Sequence, residues 1–270
     1  MWRGISLAKQ VVDVSVDIDI KDHIAIVTIN RPAQYNALDA EHYTALSEAW
    51  IRVRDDHDIR CAIITGAGDK SFSTGADLKT KIGSATNPAD FWLTQKDPLL
   101  NRGLEVWKPV IAAVNGYCLG GGVTLMLATD IRIAAAHAQF GVPEVTRGIV
   151  PANGGTQRLL SQLPYAIAME LMLTGARIDA ETAARWGLVN KVVAADQLMS
   201  TALHYASLIA ANAPLAVQAA KELAVRSRDM PISSGLRMEQ FVNQALQATE
   251  DVQEGKQAFA EKRTANFKGR

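Results

Sequence analysis

Glu144 is the side chain best suited to carry a proton. It lies in Phe140-Gly141-Val142-Pro143-Glu144-Val145, and burial among those apolar neighbours would raise its pKa toward neutrality. A carboxyl poised there is an effective acid and base. The same residue also reads as a loop glutamate that serves a helix cap or an ion pair. Two backbone stations could complete a site. One is the amide of Ala76, which follows Gly75 in Thr74-Gly75-Ala76-Asp77; the other is the amide of Gly121, within Asn115-Gly116-Tyr117-Cys118-Leu119-Gly120-Gly121-Gly122-Val123-Thr124. Two N–H groups aimed at a carbonyl oxygen would stabilise a developing oxyanion, each donor contributing about 3–4 kcal/mol in the transition state. The glycine stretch equally reads as a tight strand-to-helix turn that binds nothing. Asp77, a short acid beside a turn, reads as the residue that fixes its loop.

Other chemistries find little support. The five histidines, at 23, 42, 57, 137 and 204, are scattered, and no His-x-x-x-His or Cys-x-x-Cys spacing occurs, so no metal site is expected. Gly120-Gly121-Gly122-Val123-Thr124 lacks the lysine of a phosphate-binding loop and the Gly-x-Gly-x-x-Gly pattern of a dinucleotide fold. No Gly-x-Ser-x-Gly nucleophile elbow is present.

The surrounding pattern alternates strands and helices. Residues 11–20 have period two, with Val12, Val14, Val16, Ile18 and Ile20 on one face, and a hairpin turn at Lys21-Asp22 leads into a strand from His23 to Ile29. Asp39 caps a helix carrying Tyr43, Leu46, Trp50 and Val53 on one face. Apolar runs at 61–65, 110–114 and 131–135 read as buried strands, and Leu188 to Val193 as the last one. Helices are expected from Gly154-Gly155 through Leu163 and from Ala180 to Trp186. The segment Lys79 to Glu105 reads as a loop with helical pieces, whose Phe91, Trp92 and Leu93 either line a pocket or simply pack. After about residue 195 only helical patterns remain, at 197–211, 214–228, 233–248 and 252–263. This predicts an α/β body over 1–195 and a helical domain over 196–270.

Bulk properties agree with a globular chain of 270 residues. Formal net charge is zero, which argues against a nucleic-acid partner and permits self-assembly. Cys61 and Cys118 sit in apolar runs and read as reduced and buried, as in a cytoplasmic protein. No secretory leader is visible in residues 1–10, and no apolar run approaches the roughly 18–20 residues of a membrane span.

Four ordered motifs then resemble the crotonase superfamily, the enoyl-CoA hydratase/isomerase family. They are Ile29-Asn30-Arg31-Pro32 with Asn36-Ala37-Leu38; Phe72-Ser73-Thr74-Gly75-Ala76-Asp77-Leu78-Lys79; Ala112 to Gly122 with Ala128-Thr129-Asp130-Ile131; and Phe140 to Glu144 with Gly154-Gly155-Thr156-Gln157-Arg158-Leu159. Ala258 to Arg263 with Asn266-Phe267-Lys268 is similar to the family's C-terminal helix and tail. The resemblance implies a ββα spiral core, a C-terminal helical trimerisation domain, and trimers or dimers of trimers. It implies an acyl-CoA thioester as substrate, coenzyme A entering as part of the substrate and with no separate cofactor. It assigns the oxyanion hole to the amides of Ala76 and Gly121 and the acid/base role to Glu144. It assigns CoA or substrate contacts to Gly75, Ala76, Asp77, Leu78, Lys79, Gly121 and Ala152, and to Phe259 and Lys262 reaching a neighbouring subunit's CoA.

Two departures from the family pattern bear on the reaction. Typical hydratases carry a second catalytic glutamate where this chain has Thr124, a candidate catalytic residue whose hydroxyl can at most hydrogen-bond a water or substrate and is no carboxylate base. Pro151-Ala152-Asn153 stands where they read Pro-Gly-Ala. The expected function is therefore enoyl-CoA hydration or isomerisation through Glu144. Δ3-Δ2 isomerases and aromatic hydratase-lyases of the family rely on that glutamate alone. A non-catalytic acyl-CoA-binding protein is the alternative from a different class.

Overall fold

A computed structural model describes residues 15–79 and 98–270. The readings for residues 1–14, and for Phe91, Trp92 and Leu93, lie outside the described residues. The first two strands, β1 (Val16–Lys21) and β2 (Ile24–Ile29), form the expected antiparallel hairpin, but the turn is Asp22-His23, one residue later than the pattern suggests. Both turn residues have positive φ, 50° and 66°, the geometry whose twist suits a two-residue hairpin. His23 tolerates it because its Nδ1 pairs with the Asp58 carbonyl at 2.8 Å and its own carbonyl accepts from the Arg60 amide.

Beyond the hairpin the chain climbs through paired strands in two sheets. β3 (Cys61–Gly66), β5 (Val110–Val114), β7 (Ile131–Ala135) and β10 (Lys191–Val193) extend the first sheet, in the order β1-β2-β3-β5-β7-β10. β4 (Ser71–Ser73), β6 (Tyr117–Leu119), β8 (Gln139–Gly141) and β9 (Arg177–Asp179) form the second, in that order. β3, β5 and β7 are each followed within a few residues by a strand of the second sheet, so each turn of the spiral contributes one strand to each layer.

The continuous apolar runs follow from burial on both faces. In β3, Ala62 and Ile64 join the main core while Cys61 and Ile63 join a second cluster on the opposite face. In β5, Val110, Ala112 and Val114 divide from Ile111 and Ala113 in the same way. The second cluster is covered by α6 (Leu198–Ala210), whose Leu198, Ala202, Ala206 and Ala210 recur at helical spacing. Three alanines on that stripe let the helix axis lie close to the sheet. Cys61 and Cys118 are free and fully buried.

α1 (Ala40–Asp55) puts Leu46, Trp50 and Val53 into the main core, with Trp50 and Leu46 wholly buried. Asp39 caps it as expected, accepting from the His42 amide at 3.1 Å and from His42 Nδ1 at 2.7 Å. Burial alone would raise the Asp39 pKa, but these bonds from the His42 side chain and amide outweigh it and hold the carboxyl below its usual range. Asp39→Ala removes the cap and leaves a buried imidazole nitrogen unpaired. It is expected to cost about 1–2 kcal/mol, read from the urea midpoint at unchanged m-value.

Four shorter helices finish the body and its flank: α2 (Gly121–Met126), α3 (Gly155–Gln162), α4 (Tyr165–Thr174) and α5 (Ala180–Arg185). α4 and the three-residue strands β4, β6, β8 and β9 are absent from the sequence reading, which takes 140–144 as a turn. Tyr-Ala-Ile-Ala-Met-Glu-Leu-Met-Leu-Thr is apolar nearly all round, so it offers no one-sided stripe. α7 (Pro214–Arg226), α8 (Ile232–Leu246) and α9 (Glu250–Glu261) follow α6. The tail folds back on α9, where buried Asp251 accepts from the amides of Lys268 and Gly269 at 2.7 and 2.8 Å. Among the described residues no helix is long and apolar enough to cross a membrane.

Candidate active site

Three distant stretches meet because β4, β6 and β8 are adjacent and parallel, pairing Ser71 with Tyr117 and Tyr117 with Gln139. Their C-terminal ends therefore lie along one edge. Gly75-Ala76 follows β4, Gly120-Gly121 follows β6, and Glu144 follows β8 by three residues.

The two backbone stations touch. Gly75 has φ +81°, and a β-carbon placed on it would fall on the Gly121 amide nitrogen and lie 2.9 Å from the Gly121 α-carbon. A β-carbon on Gly121 would lie 3.4 Å from the Ala76 nitrogen. Glycine at both positions is what lets the two amides come side by side. The direction of the Ala76 N–H follows from its neighbours. Leu38 donates to the Gly75 carbonyl at 2.8 Å and accepts from the Asp77 amide at 2.9 Å. In extended backbone successive amides alternate, so the Ala76 N–H points away from Leu38. Ser73 braces the turn, its hydroxyl donating to the Asn36 carbonyl at 2.8 Å and accepting from the Gly75 amide at 3.1 Å. Among the described residues neither the Ala76 nor the Gly121 amide has an acceptor. α2 has only six residues, so the exposed first-turn N–H, more than any macrodipole, is what its N-terminus offers.

Glu144 closes the site on the Gly120 side. Its Oε1 would lie 3.3 Å from a β-carbon on Gly120, which sits at φ +53°. Its Oε2 is buried and, among the described residues, has no hydrogen-bond partner. The carboxyl is half-buried, and that desolvation raises its pKa against the lowering effects of its own backbone amide and of Arg147. Asp77 is different in kind. It accepts from the Lys79 amide at 2.9 Å and from Arg31 Nη1 at 2.8 Å, and those bonds, the amide first, hold its pKa below the ordinary value. It stays ionised and braces the loop.

Thr124 is 1% exposed, one helical turn beyond Gly121. Its hydroxyl donates to the Gly121 carbonyl at 3.0 Å and accepts from Asn101 Nδ2 at 3.2 Å. A β-carbon on Gly155 would lie 2.7 Å from its methyl group and 2.9 Å from Pro151 Cβ, so the α3 start is pressed against it. Asn101 is the neighbour that the sequence reading passes over. Its segment has no periodicity to mark it, and a lone asparagine carries no spacing signal.

The remaining expected contacts are spread out. Leu78 and Lys79 continue from Asp77 and are exposed, and Ala152 is exposed beside buried Pro151. Phe259 is 87% exposed on α9, and Lys262 is that helix's left-handed C-terminal cap. Among the described residues no hydrogen bond or ion pair links either of them to Glu144. Among the described residues no group of three His, Cys, Asp or Glu could hold a metal ion.

The enoyl-CoA hydratase/isomerase family model matches residues 19–270. The chain belongs to that family. It is a crotonase-family enzyme of the acyl-CoA hydratase/dehydratase kind, with the α/β crotonase fold. It is 44% identical to the (E)-benzylidenesuccinyl-CoA hydratase of Thauera aromatica, over 94% of this chain and 99% of that one. It is 43% identical to a carnitinyl-CoA dehydratase of Salmonella enteritidis, over 90% and 94% of the two chains. Among solved structures, the enoyl-CoA hydratase of Bacillus anthracis superposes with a TM-score of 0.88 at 37% identity, covering 95% of this chain and all of that one.

Proposed function

We propose that this enzyme adds water reversibly across the α,β-double bond of an acyl-CoA thioester, with Glu144 as its acid/base. The carrying observation is the half-buried Glu144 carboxyl beside Gly120, adjoining the paired Ala76 and Gly121 amides. In this reading the thioester oxygen accepts both N–H groups. Water oxygen bonds to the β-carbon, Glu144 takes the departing proton, and the π pair moves onto the thioester oxygen as an enolate. The enolate then collapses and takes that proton at the α-carbon. The two donors stabilise the charge where it develops, and the raised pKa makes Glu144 both a base and a competent acid.

CoA would lie along Gly75 to Lys79 and Ala152. The exposed Phe259 and Lys262 would meet the CoA of a second subunit, in a trimer or a dimer of trimers. Exposed Ile232, Leu236 and Phe241 on α8 support an assembly surface within 196–270, with 1–195 carrying the spiral body. The two relatives above are by name a benzylidenesuccinyl-CoA hydratase and a carnitinyl-CoA dehydratase, which favours hydration. The enclosure of the Thr124 hydroxyl, with no second carboxylate beside it among the described residues, favours the single-base readings: a Δ3-Δ2 isomerase, or an aromatic hydratase-lyase.

Incubation with crotonyl-CoA, cinnamoyl-CoA and a 3-enoyl-CoA decides between them. Loss of the conjugated ultraviolet band indicates hydration, and its appearance from the 3-enoyl substrate indicates isomerisation. Release of acetyl-CoA and an aldehyde from a 3-hydroxy-3-arylpropanoyl-CoA indicates the lyase. No change with any of them leaves an acyl-CoA-binding protein and overturns the proposal.

A further inference from the structure

Among the described residues, two buried side-chain oxygens lack a hydrogen-bond partner: Glu144 Oε2 and Asn101 Oδ1. The first belongs to the acid/base already described. The second is held as firmly. Asn101 is 7% exposed, in a tight turn closed by Leu99 and Arg102 exchanging backbone bonds at 2.9 Å. Its carbonyl accepts from Arg158 Nη1 at 3.2 Å, and the same nitrogen donates to the Asn153 carbonyl at 2.9 Å.

The amide's orientation follows from Thr124. The hydroxyl has one proton, and the Gly121 carbonyl can only accept, so that proton goes to Gly121. The hydroxyl must then accept from Asn101, which turns Nδ2 toward Thr124 and Oδ1 away from it. A buried carboxamide oxygen left without a donor is costly, and such groups in folded proteins call for a reason. Glu144 stands at Gly120, while the Asn101 amide is linked through the Thr124 hydroxyl to the Gly121 carbonyl, so the two side chains are tied to consecutive residues of one turn. Two acceptors without donors complement a molecule with two protons to give, and water is that molecule.

We propose that Asn101 Oδ1 holds the water that adds to the double bond, and in the reverse direction the substrate's β-hydroxyl. This rests on the hydratase reading. One water proton is held by Asn101 and never transferred; the other goes to Glu144 as the oxygen bonds to the β-carbon. The enolate then recovers that proton at the α-carbon, so the balance is one water and one double bond to one hydroxyacyl thioester. Thr124, where a typical hydratase has its second carboxylate, thus anchors a neutral acceptor in place of a charged one.

The test separates water handling from proton handling on the same Glu144. Asn101→Ala is compared with wild type in two assays: hydration of the enoyl-CoA that wild type turns over fastest, and exchange of α-hydrogen for deuterium in butyryl-CoA, which needs Glu144 and the paired amides but no added water. The expected result is a fall in hydration kcat of about 30-fold or more, with KM and the exchange rate within about threefold of wild type. Asn101→Leu, close in volume and without polar atoms, gives the same split if the alanine variant folds poorly. Parallel loss of both rates means that Asn101 only supports the fold and overturns the inference, as does hydration that stays at the wild-type rate. A wild-type protein that exchanges α-hydrogen but hydrates nothing overturns the hydratase reading itself, and the water site with it.

Discussion

Glu144→Gln lowers kcat by about 10³-fold, in the middle of the range for a positioned general acid/base, while acyl-CoA affinity stays within about threefold. Glutamine keeps the size of the side chain beside Gly120, so the walls of the site are unchanged, but it neither accepts a proton nor returns one. The amides of Ala76 and Gly121 are untouched, so ground-state binding persists. Steady-state kinetics and calorimetric titration with a non-reactive acyl-CoA separate the two effects, and full activity in this variant would remove Glu144 from the mechanism.

The same substitution carries a pH signature. Glu144 acts first as a base, so kcat/KM for hydration falls as pH drops through its pKa. Desolvation raises that pKa, so the acid limb lies above the ordinary carboxylate range. Stability moves in the opposite sense. A carboxyl whose folded pKa is raised binds its proton more tightly in the native state, so its contribution is present at low pH and lost as pH rises through the folded value. Glutamine is neutral throughout. The Tm of Glu144→Gln relative to wild type is therefore expected to rise across that window, a gain in stability that accompanies the loss of function.

Much of this site was legible in the residues themselves. A glutamate after an apolar Pro turn and glycines after apolar runs each indicate one function, and Asp39 declares its helix. Their meeting was not legible. It depends on β4, β6 and β8 lying side by side, and three-residue strands are too short for period-two alternation to announce them. Asn101 was hidden for another reason: its role arises from one hydrogen bond to Thr124 across a gap of 23 residues, which no local pattern encodes. α4 escaped because uniform hydrophobicity carries no phase. The hairpin slipped by one residue because Asp22 and His23 both take left-handed backbone, a choice set by sheet twist and the His23–Asp58 contact. Local chemistry was readable, whereas adjacency had to come from topology.

That dependence on close approach makes Gly75→Ala the sharpest test of the paired amides. Gly75 has φ +81°, where an L residue is strained, and its new β-carbon would strike the Gly121 nitrogen. The strain alone costs about 1 kcal/mol. The clash must be relieved by moving the Gly121 amide away from Ala76, since the obstacle is backbone and has no rotamer to change. Displacing one oxyanion donor costs about 10²–10³ in kcat. Because both reactions pass through the enolate, α-hydrogen exchange and hydration should fall together, unlike the split expected at Asn101. Gly187→Ala is the control. Gly187 has φ +75° with nothing within 4 Å of its β-position, so it bears the same backbone strain without the clash. Its kcat should stay at the wild-type value while its Tm falls. If Gly75→Ala behaved like Gly187→Ala, losing stability alone, the two amides would not be acting as a pair on the substrate oxygen.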